Sequence, residues 1–382
     1  MTIPAYPAAQ AVAATVEEYF ASHLRAARKH DRQTLAPQPD ARSIEAIIDA
    51  AFWASLRHEE GSSPKISLAF LPPEQTRQPL IFERQLPMTA SVLSRLAPAV
   101  ERPGIHLGVW PTNDLDKELR IWGTTRSIPR LCFVLEVIEP GLLVVKYRRS
   151  QETGKYVNVV VLKGDQIKVL DEKGTNLPDC PDLLTPLLGF GSPASESDSV
   201  NALMQLAVSM RAHGRGGSLL VVPQDSNAWW ESILQPVLYL VSPPFSELAE
   251  LMRQSSEEKS QPIWLESFID AVDVMAGLTA VDGVALINEQ YELLAFGAKI
   301  GRRDGGMLIE QVVVTEPVVG GVGSVMHPLE LGGTRHLSAA QFVQDQPDSL
   351  ALVASQDGRF TIFAWSPCER LVHAHRVEAL LM

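Results

Sequence analysis

The sequence predicts a mixed α/β protein of two domains, an α+β half at residues 1–190 and a second α/β half at 200–382, joined through 191–199. Three observations predict it. Apolar residues recur at helical spacing in the first fifty or so residues; short strand-like runs separated by Pro, Gly, Asn and Asp follow from Lys65; and a Ser-rich stretch then precedes a series in which helix and strand patterns alternate.

In the first half, Val12, Val16, Tyr19, Phe20 and Leu24 share one helix face, and Ile44, Ile47, Ile48, Ala51 and Phe52 share another. Pro37 and Pro39 make the segment between them, Gln33 to Ala41, a loop. Strands are predicted at Ile66 to Phe70, Leu80 to Phe82, Ile105 to Trp110, Leu119 to Trp122, Leu131 to Ile138, Leu142 to Tyr147, Tyr156 to Leu162 and Gln166 to Leu170. Glu139-Pro140-Gly141 and Lys163-Gly164-Asp165 read as hairpin turns, so the sheet is expected to be mostly antiparallel, with Arg148-Arg149 at a hairpin end. Cys180 to Phe190 is a short apolar helix or coil, and Gly191 to Ser199 is the linker.

The second half is predicted to contain helix Ser267 to Leu278, strand Val284 to Asn288 and helix Ser338 to Gln344. Strands Ser349 to Ser355 and Arg359 to Trp365 then flank the turn Gln356-Asp357-Gly358. Arg253 to Gln261 reads as a polar loop. Gly301 to Gly333 reads as a long Gly-rich segment, either a mobile loop or an ordinary surface excursion. Trp229-Trp230 reads as a packing anchor, His213 to Gly217 as a tight helix-to-strand turn, and His373 with His375 as surface residues lacking a third metal ligand.

The chain carries a formal net charge of -12, which argues against broad, sequence-independent nucleic-acid binding, because such binding neutralises many phosphates with Lys and Arg. With 46% hydrophobic and 20% charged residues it has the composition of a soluble globular protein. Cys132, Cys180 and Cys368 lie far apart with no metal-ligand spacing, the expectation for a reduced, cytoplasmic protein. No apolar run approaches the length of a membrane span, and the N-terminus, with Pro4, Pro7 and Glu17-Glu18, lacks a signal pattern.

Two short motifs carry chemistry. Ala280 to Leu286 places Asp282-Gly283 beside an apolar run, and Gly333 to Ala339 places Arg335-His336 at a helix start. An acidic turn and a basic turn of this kind suit a nucleotide polyphosphate: Asp282 would hold a divalent cation, while Arg335, His336 and main-chain amides would take phosphate charge. Taken alone, the Asp-Gly is more often a plain turn and the Arg-His more often a solvated surface pair. Lys299, Arg302 and Arg303 would extend the basic side.

Asp282-Gly283-Val284, Gly333-Thr334-Arg335-His336-Leu337 and Ala354-Ser355-Gln356, preceded by Gly216-Gly217-Ser218-Leu219-Leu220-Val221-Val222, follow one another in the order of the diadenylate cyclase catalytic domain, and residues 196–367 resemble that family. The resemblance implies an opening helix at Val200 to His213 leading into a strand at Gly216 to Val222, a central mixed sheet flanked by helices, and the condensation of two ATP into cyclic di-AMP with loss of two pyrophosphates, using Mg or Mn. It also implies facing domains in a homo-oligomer and a sensor module in the first half. Carried over, the catalytic residues are Asp282, Arg335 and His336, with Asp282 the metal ligand. Nucleotide contacts fall at Gly217, Ser218, Leu219, Gly283, Val284, Gly333, Thr334, Ser338, Ser355 and Gln356. Three departures stand out: Leu337 replaces the second Arg of the family's Arg-His-Arg, Val284 replaces Ala, and the Gly-rich stretch from Gly301 to Gly333 lies between the two motifs. They leave open a domain that binds a nucleotide or cyclic dinucleotide without turnover, and a scaffold that keeps only the fold.

Overall fold

The computed structural model describes residues 5–30, 35–57, 63–112, 117–148, 156–171, 201–234, 239–259 and 261–382. Contacts divide the chain into two compact units, Met1–Leu170 and Asp171–Leu381. The linker at 191–199, the segment Cys180 to Phe190 and Arg149 lie outside the described residues.

The first unit opens with helices α1 (Pro7–His30) and α2 (Ala41–Ser55). Asp40 starts α2 by accepting a 2.7 Å hydrogen bond from the Ser43 amide, which satisfies one of the orphan donors of the first turn. Strands β1 (Ile66–Phe70) and β2 (Leu80–Pro87) precede a short helix, α3 (Ala90–Leu96), which the sequence patterns did not single out. Then follow β3 (His106–Pro111), β4 (Leu119–Thr125), β5 (Phe133–Glu139), β6 (Leu142–Arg148), β7 (Tyr156–Lys163) and β8 (Gln166–Val169).

These strands form one sheet in the order β2-β4-β3-β1-β5-β6-β7-β8. Only the β1–β3 pair is parallel, so the antiparallel expectation holds. The helices cover one face, where Phe20, Ile44, Ile47 and Ile48 pack on Leu68, Leu107, Phe133 and Leu135. The alternate residues of the same strands carry a polar row. His106 is fully buried and bonds Ser67 at 2.7 Å through Nδ1 and the Tyr156 hydroxyl at 2.9 Å through Nε2, and Lys146 pairs with Glu136 at 2.5 Å.

The second unit begins with α4 (Ala202–Ala212) and β9 (Gly217–Val222), then β10 (Ile233–Leu234) and β11 (Tyr239–Phe245). Helices α5 (Glu247–Arg253), α6 (Ser256–Lys259) and α7 (Pro262–Leu278) come next. The stretch expected to be a polar loop thus contains a helical turn, closed where Glu258 accepts from the Ser255 amide and hydroxyl. Strands β12 (Val284–Asn288), β13 (Leu293–Ile300), β14 (Val312–Thr315) and β15 (Ser324–Met326) lead to α8 (Pro328–Gly332) and α9 (Thr334–Asp345). The unit closes with β16 (Leu350–Ala354), β17 (Phe360–Ser366) and β18 (Leu371–Arg376).

The main path of this mixed sheet runs β10-β13-β12-β9-β16-β17-β18-β14-β15, with β11 also pairing to β13. Strand β9 lies inside the sheet, buried at every position, which is why its sequence is apolar without alternation. Leu219 and Val221 face α4, α5 and α7, while Leu220 and Val222 face α9. The layout is helix, sheet, helix, and the expected α/β class is observed.

Two expectations are corrected here. Gly301 to Gly333 is not a single loop: it contains the antiparallel pair β14–β15 and helix α8, because Val312 to Val314 supply a buried strand that β18 completes. His373 and His375 are not surface residues. They are 2% and 1% exposed, the Nδ1 of His375 meeting the Thr315 hydroxyl at 2.7 Å and the Nε2 of His373 meeting Glu369 at 2.9 Å. The Trp229-Trp230 pair does anchor packing, with Trp229 buried in the core and its ring stacked on Trp230.

Candidate functional site

Hydrogen-bond register brings the sequence motifs to one end of the second sheet. Gly217, which begins β9, pairs with Ala354, the last residue of β16; β12 runs parallel to β9, so its first residues and the Asp282-Gly283 turn lie at the same end. Strand β13 runs antiparallel to β12 and delivers Ala298 opposite Val284, with Lys299 next. Helix α9 reaches that end with its first turn, where Gly333 at φ 80° allows the sharp entry from α8. The Arg335 guanidinium lies over Gly216: its Nη1 would be 2.8 Å from a Cβ placed there, and the Gln356 Cγ would be 3.4 Å away. Gln356 also donates to the Arg215 carbonyl at 3.3 Å, tying the β16–β17 turn to the α4–β9 turn.

Asp282 presents its carboxylate to solvent, with its side chain 93% exposed, and bonds the Lys299 ammonium at 2.7 Å. The hydrogen bond and charge of Lys299, and beyond them the charge of Arg335, hold its carboxyl below the ordinary carboxylate range. The two motifs therefore share one electrostatic environment although they are far apart in sequence. Gly283 is required locally, because a Cβ there would meet the Gly297 and Ala298 backbone at 2.6–2.8 Å. Gly217 is required by Thr279, whose hydroxyl and carbonyl oxygens would lie 2.6 and 2.7 Å from a Cβ there, a packing that no sequence signal marked.

Other predicted contacts separate by burial. Thr334, Arg335 and Gln356 are exposed, and Ser338 and Ser355 are half-buried, so their side chains are open to a ligand. Ser218, Leu219 and Val284 are buried and can meet a ligand only through their backbone. His336 departs from the expected role of phosphate contact. It is 1% exposed, with Nδ1 3.1 Å from the Gly332 carbonyl, Nε2 3.4 Å from the Thr361 hydroxyl and its ring edge-on to Phe363. Burial pushes its pKa down, so a neutral imidazole braces the start of α9 from inside. The helical periodicity explains it: at the N-terminus of α9, residue 335 faces out and 336 faces the sheet.

Leu337 is partly buried against the Val284, Leu286, Phe342 and Phe363 core, so the position of the family's second Arg is apolar in its packing as well as its identity. Arg303, expected to add basic charge, is engaged by Glu231 at 2.6 Å. Among the described residues, no group of three or more His, Cys, Asp and Glu could hold a metal ion. A single exposed carboxylate does fit an ion that arrives on a polyphosphate, since Mg²⁺ commonly takes one or two carboxylates and completes its shell with phosphate oxygens and water. Asp282 is the residue that would hold it.

Residues 33–126 match the family described as "Probable sensor domain DACNV", a span that runs from before α2 through β4 of the first unit. No curated protein matches the chain. Among the described residues, no helix is long and apolar enough to cross a membrane.

Proposed function

We propose that the second unit is a diadenylate-cyclase-like nucleotide site that condenses two ATP into cyclic di-AMP, under the control of a sensor module in the first unit. One observation carries the reading: Asp282, Arg335, Gln356 and the Gly216-Gly217 backbone, drawn from four separate segments, converge at one end of the sheet. The probable sensor domain at residues 33–126 supports the regulatory half.

In such a site each ATP 3′-hydroxyl gives up its proton to solvent and attacks the α-phosphate of the other; an O–P bond forms, the α-phosphorus–bridging-oxygen bond breaks and pyrophosphate leaves with its electron pair. Two sites must face one another, so a second copy of this chain is the expected partner. A divalent cation held by Asp282 and the phosphates would neutralise charge as it develops. Arg335 would orient phosphate oxygens through its planar fork, and the amides of Gly216 and Gly217 would admit close approach. Positioning and charge neutralisation are the sources of rate.

A second reading, nucleotide or cyclic-dinucleotide binding without turnover, is favoured by Leu337, whose packing removes one bidentate phosphate donor. Incubating the full chain with ATP and Mn²⁺ or Mg²⁺ and separating the products decides between them. Cyclic di-AMP supports the cyclase, tight binding without product selects the second reading, and no binding of either nucleotide sinks both.

A further inference from the structure

Lys299 is the residue whose place in this site no motif explains. Strand pairing sets it beside Asp282: Val284 is opposite Ala298 across β12 and β13, and the Gly283 backbone presses on Gly297 and Ala298 with no room for a side chain between them. The Lys299 ammonium therefore meets the Asp282 carboxylate at 2.7 Å from a neighbouring strand, not across two loose loops. Lys299 is itself partly covered, with its side chain 38% exposed, whereas Asp282 is almost wholly in solvent. The charge of Arg335 falls on the same carboxylate.

We propose that Lys299 is a charge-exchange residue of the nucleotide site: it neutralises Asp282 while the site is empty and turns to the polyphosphate when a nucleotide–metal complex arrives. The inference rests on the nucleotide-site reading above and deepens it. A bare divalent cation approaching Asp282 must displace an ammonium already at hydrogen-bond distance, with the positive charge of Arg335 also acting on the carboxylate, and like charges oppose its entry. A nucleoside triphosphate reverses that balance. Its several negative charges give Lys299 a new partner and leave the Asp282 oxygens for the metal. Lysine suits this exchange, being a compact charge on a flexible stem that can change partner without a fixed fork geometry. It also supplies a phosphate-directed cation in a site where residue 337 supplies none.

The test measures two affinities whose responses have opposite signs. Mn²⁺ binding without nucleotide is read from the free-ion signal in electron paramagnetic resonance, and ATP and adenosine binding are read in the presence of EDTA. For Lys299→Met, Mn²⁺ should bind more tightly and ATP more weakly, each by about threefold to tenfold, the effect of one partly screened charge, with adenosine unchanged. Lys299→Arg should keep the ATP affinity of the wild type. The Mn²⁺ gain should vanish when Asp282→Asn is added, and melting curves of all variants establish that they are folded. A purely structural role for Lys299 would weaken ATP and adenosine alike, which would overturn the proposal, as would unchanged Mn²⁺ affinity in Lys299→Met beside intact ATP binding. If the wild-type chain binds no nucleotide while the Mn²⁺ gain persists, the nucleotide-site reading fails and the phosphate half of the exchange falls with it.

Discussion

The Arg335 guanidinium fills the space that a side chain at Gly216 would occupy, with Nη1 2.8 Å from the position of the missing Cβ and the Ala354 carbonyl 3.2 Å from it. Gly216 also sits at φ 71°, where a Cβ is strained. Gly216→Ala should therefore lower stability by about 1–2 kcal/mol and, by pushing Arg335 aside, weaken ATP binding. Gly214→Ala is the matched control, since Gly214 has φ 64° but nothing within 4 Å of its Cβ position. It should show similar strain with unchanged ATP affinity. Equal losses of affinity in both variants would mean that the turn, not Arg335, matters to the ligand.

Asp282→Asn tests the carboxylate directly. With the side chain 93% exposed and paired with Lys299, its loss should leave the melting temperature within a degree or so, as expected for an exposed pair. Metal-dependent nucleotide chemistry should disappear. A large fall in melting temperature would instead assign Asp282 to the turn itself.

His106 predicts a pH dependence in the first unit. Burial, with the charges of Lys146 and Arg148 adding to it, lowers its pKa from 6.5 to about 3. The unfolded chain therefore binds the proton first as pH falls, so the stabilising contribution of neutral His106 is complete above pH 6.5 and is lost between there and about 3. For one proton the slope is at most about 1.4 kcal/mol per pH unit. His375 in the second unit acts in the same direction, so the measurement is a comparison of melting temperature against pH for wild type and His106→Gln. The variant should have the shallower acid limb; parallel limbs would show that His106 carries no buried-proton penalty.

How much of this was legible in the sequence depended on whether the signal was local. Strand β9 was legible because a central strand, buried on both faces, leaves an unbroken apolar run. The start of α9 was marked by its Gly-Thr-Arg-His segment, and Gly333 does make the turn. Strand β11 was not legible: Pro243 and Pro244 demote a strand pattern, and it survives here as a bulged pairing on β13. The burial of His373 and His375 was hidden too, because their polar partners, Glu369 and Thr315, do not mark themselves in the pattern of β18. The Asp282–Lys299 pair depends on the register of β12 against β13, which shifts twice between Val284 and Ile287 and so cannot be counted from spacing.

Leu337→Arg asks whether the site is a weakened cyclase or one rebuilt around an apolar residue. Leu337 is only partly buried, at the edge of the core on α9, so a longer side chain there can keep its stem on the apolar surface while its head reaches water. The substitution should therefore cost no more than about 1–2 kcal/mol of stability, mostly lost packing. It places a second guanidinium two residues beyond Arg335, near the first turn of α9, where a charge-assisted phosphate contact is worth on the order of 1.5–3 kcal/mol. ATP affinity should rise by about tenfold or more on that scale, and product yield should rise with it if turnover was limited by phosphate positioning. Titrating ATP and quantifying cyclic di-AMP for both proteins checks this. Tighter ATP with no product from either protein would assign the domain to nucleotide sensing. Weaker ATP in a folded Leu337→Arg would show that the apolar packing at this position is itself part of the binding surface, and that the phosphates lie elsewhere.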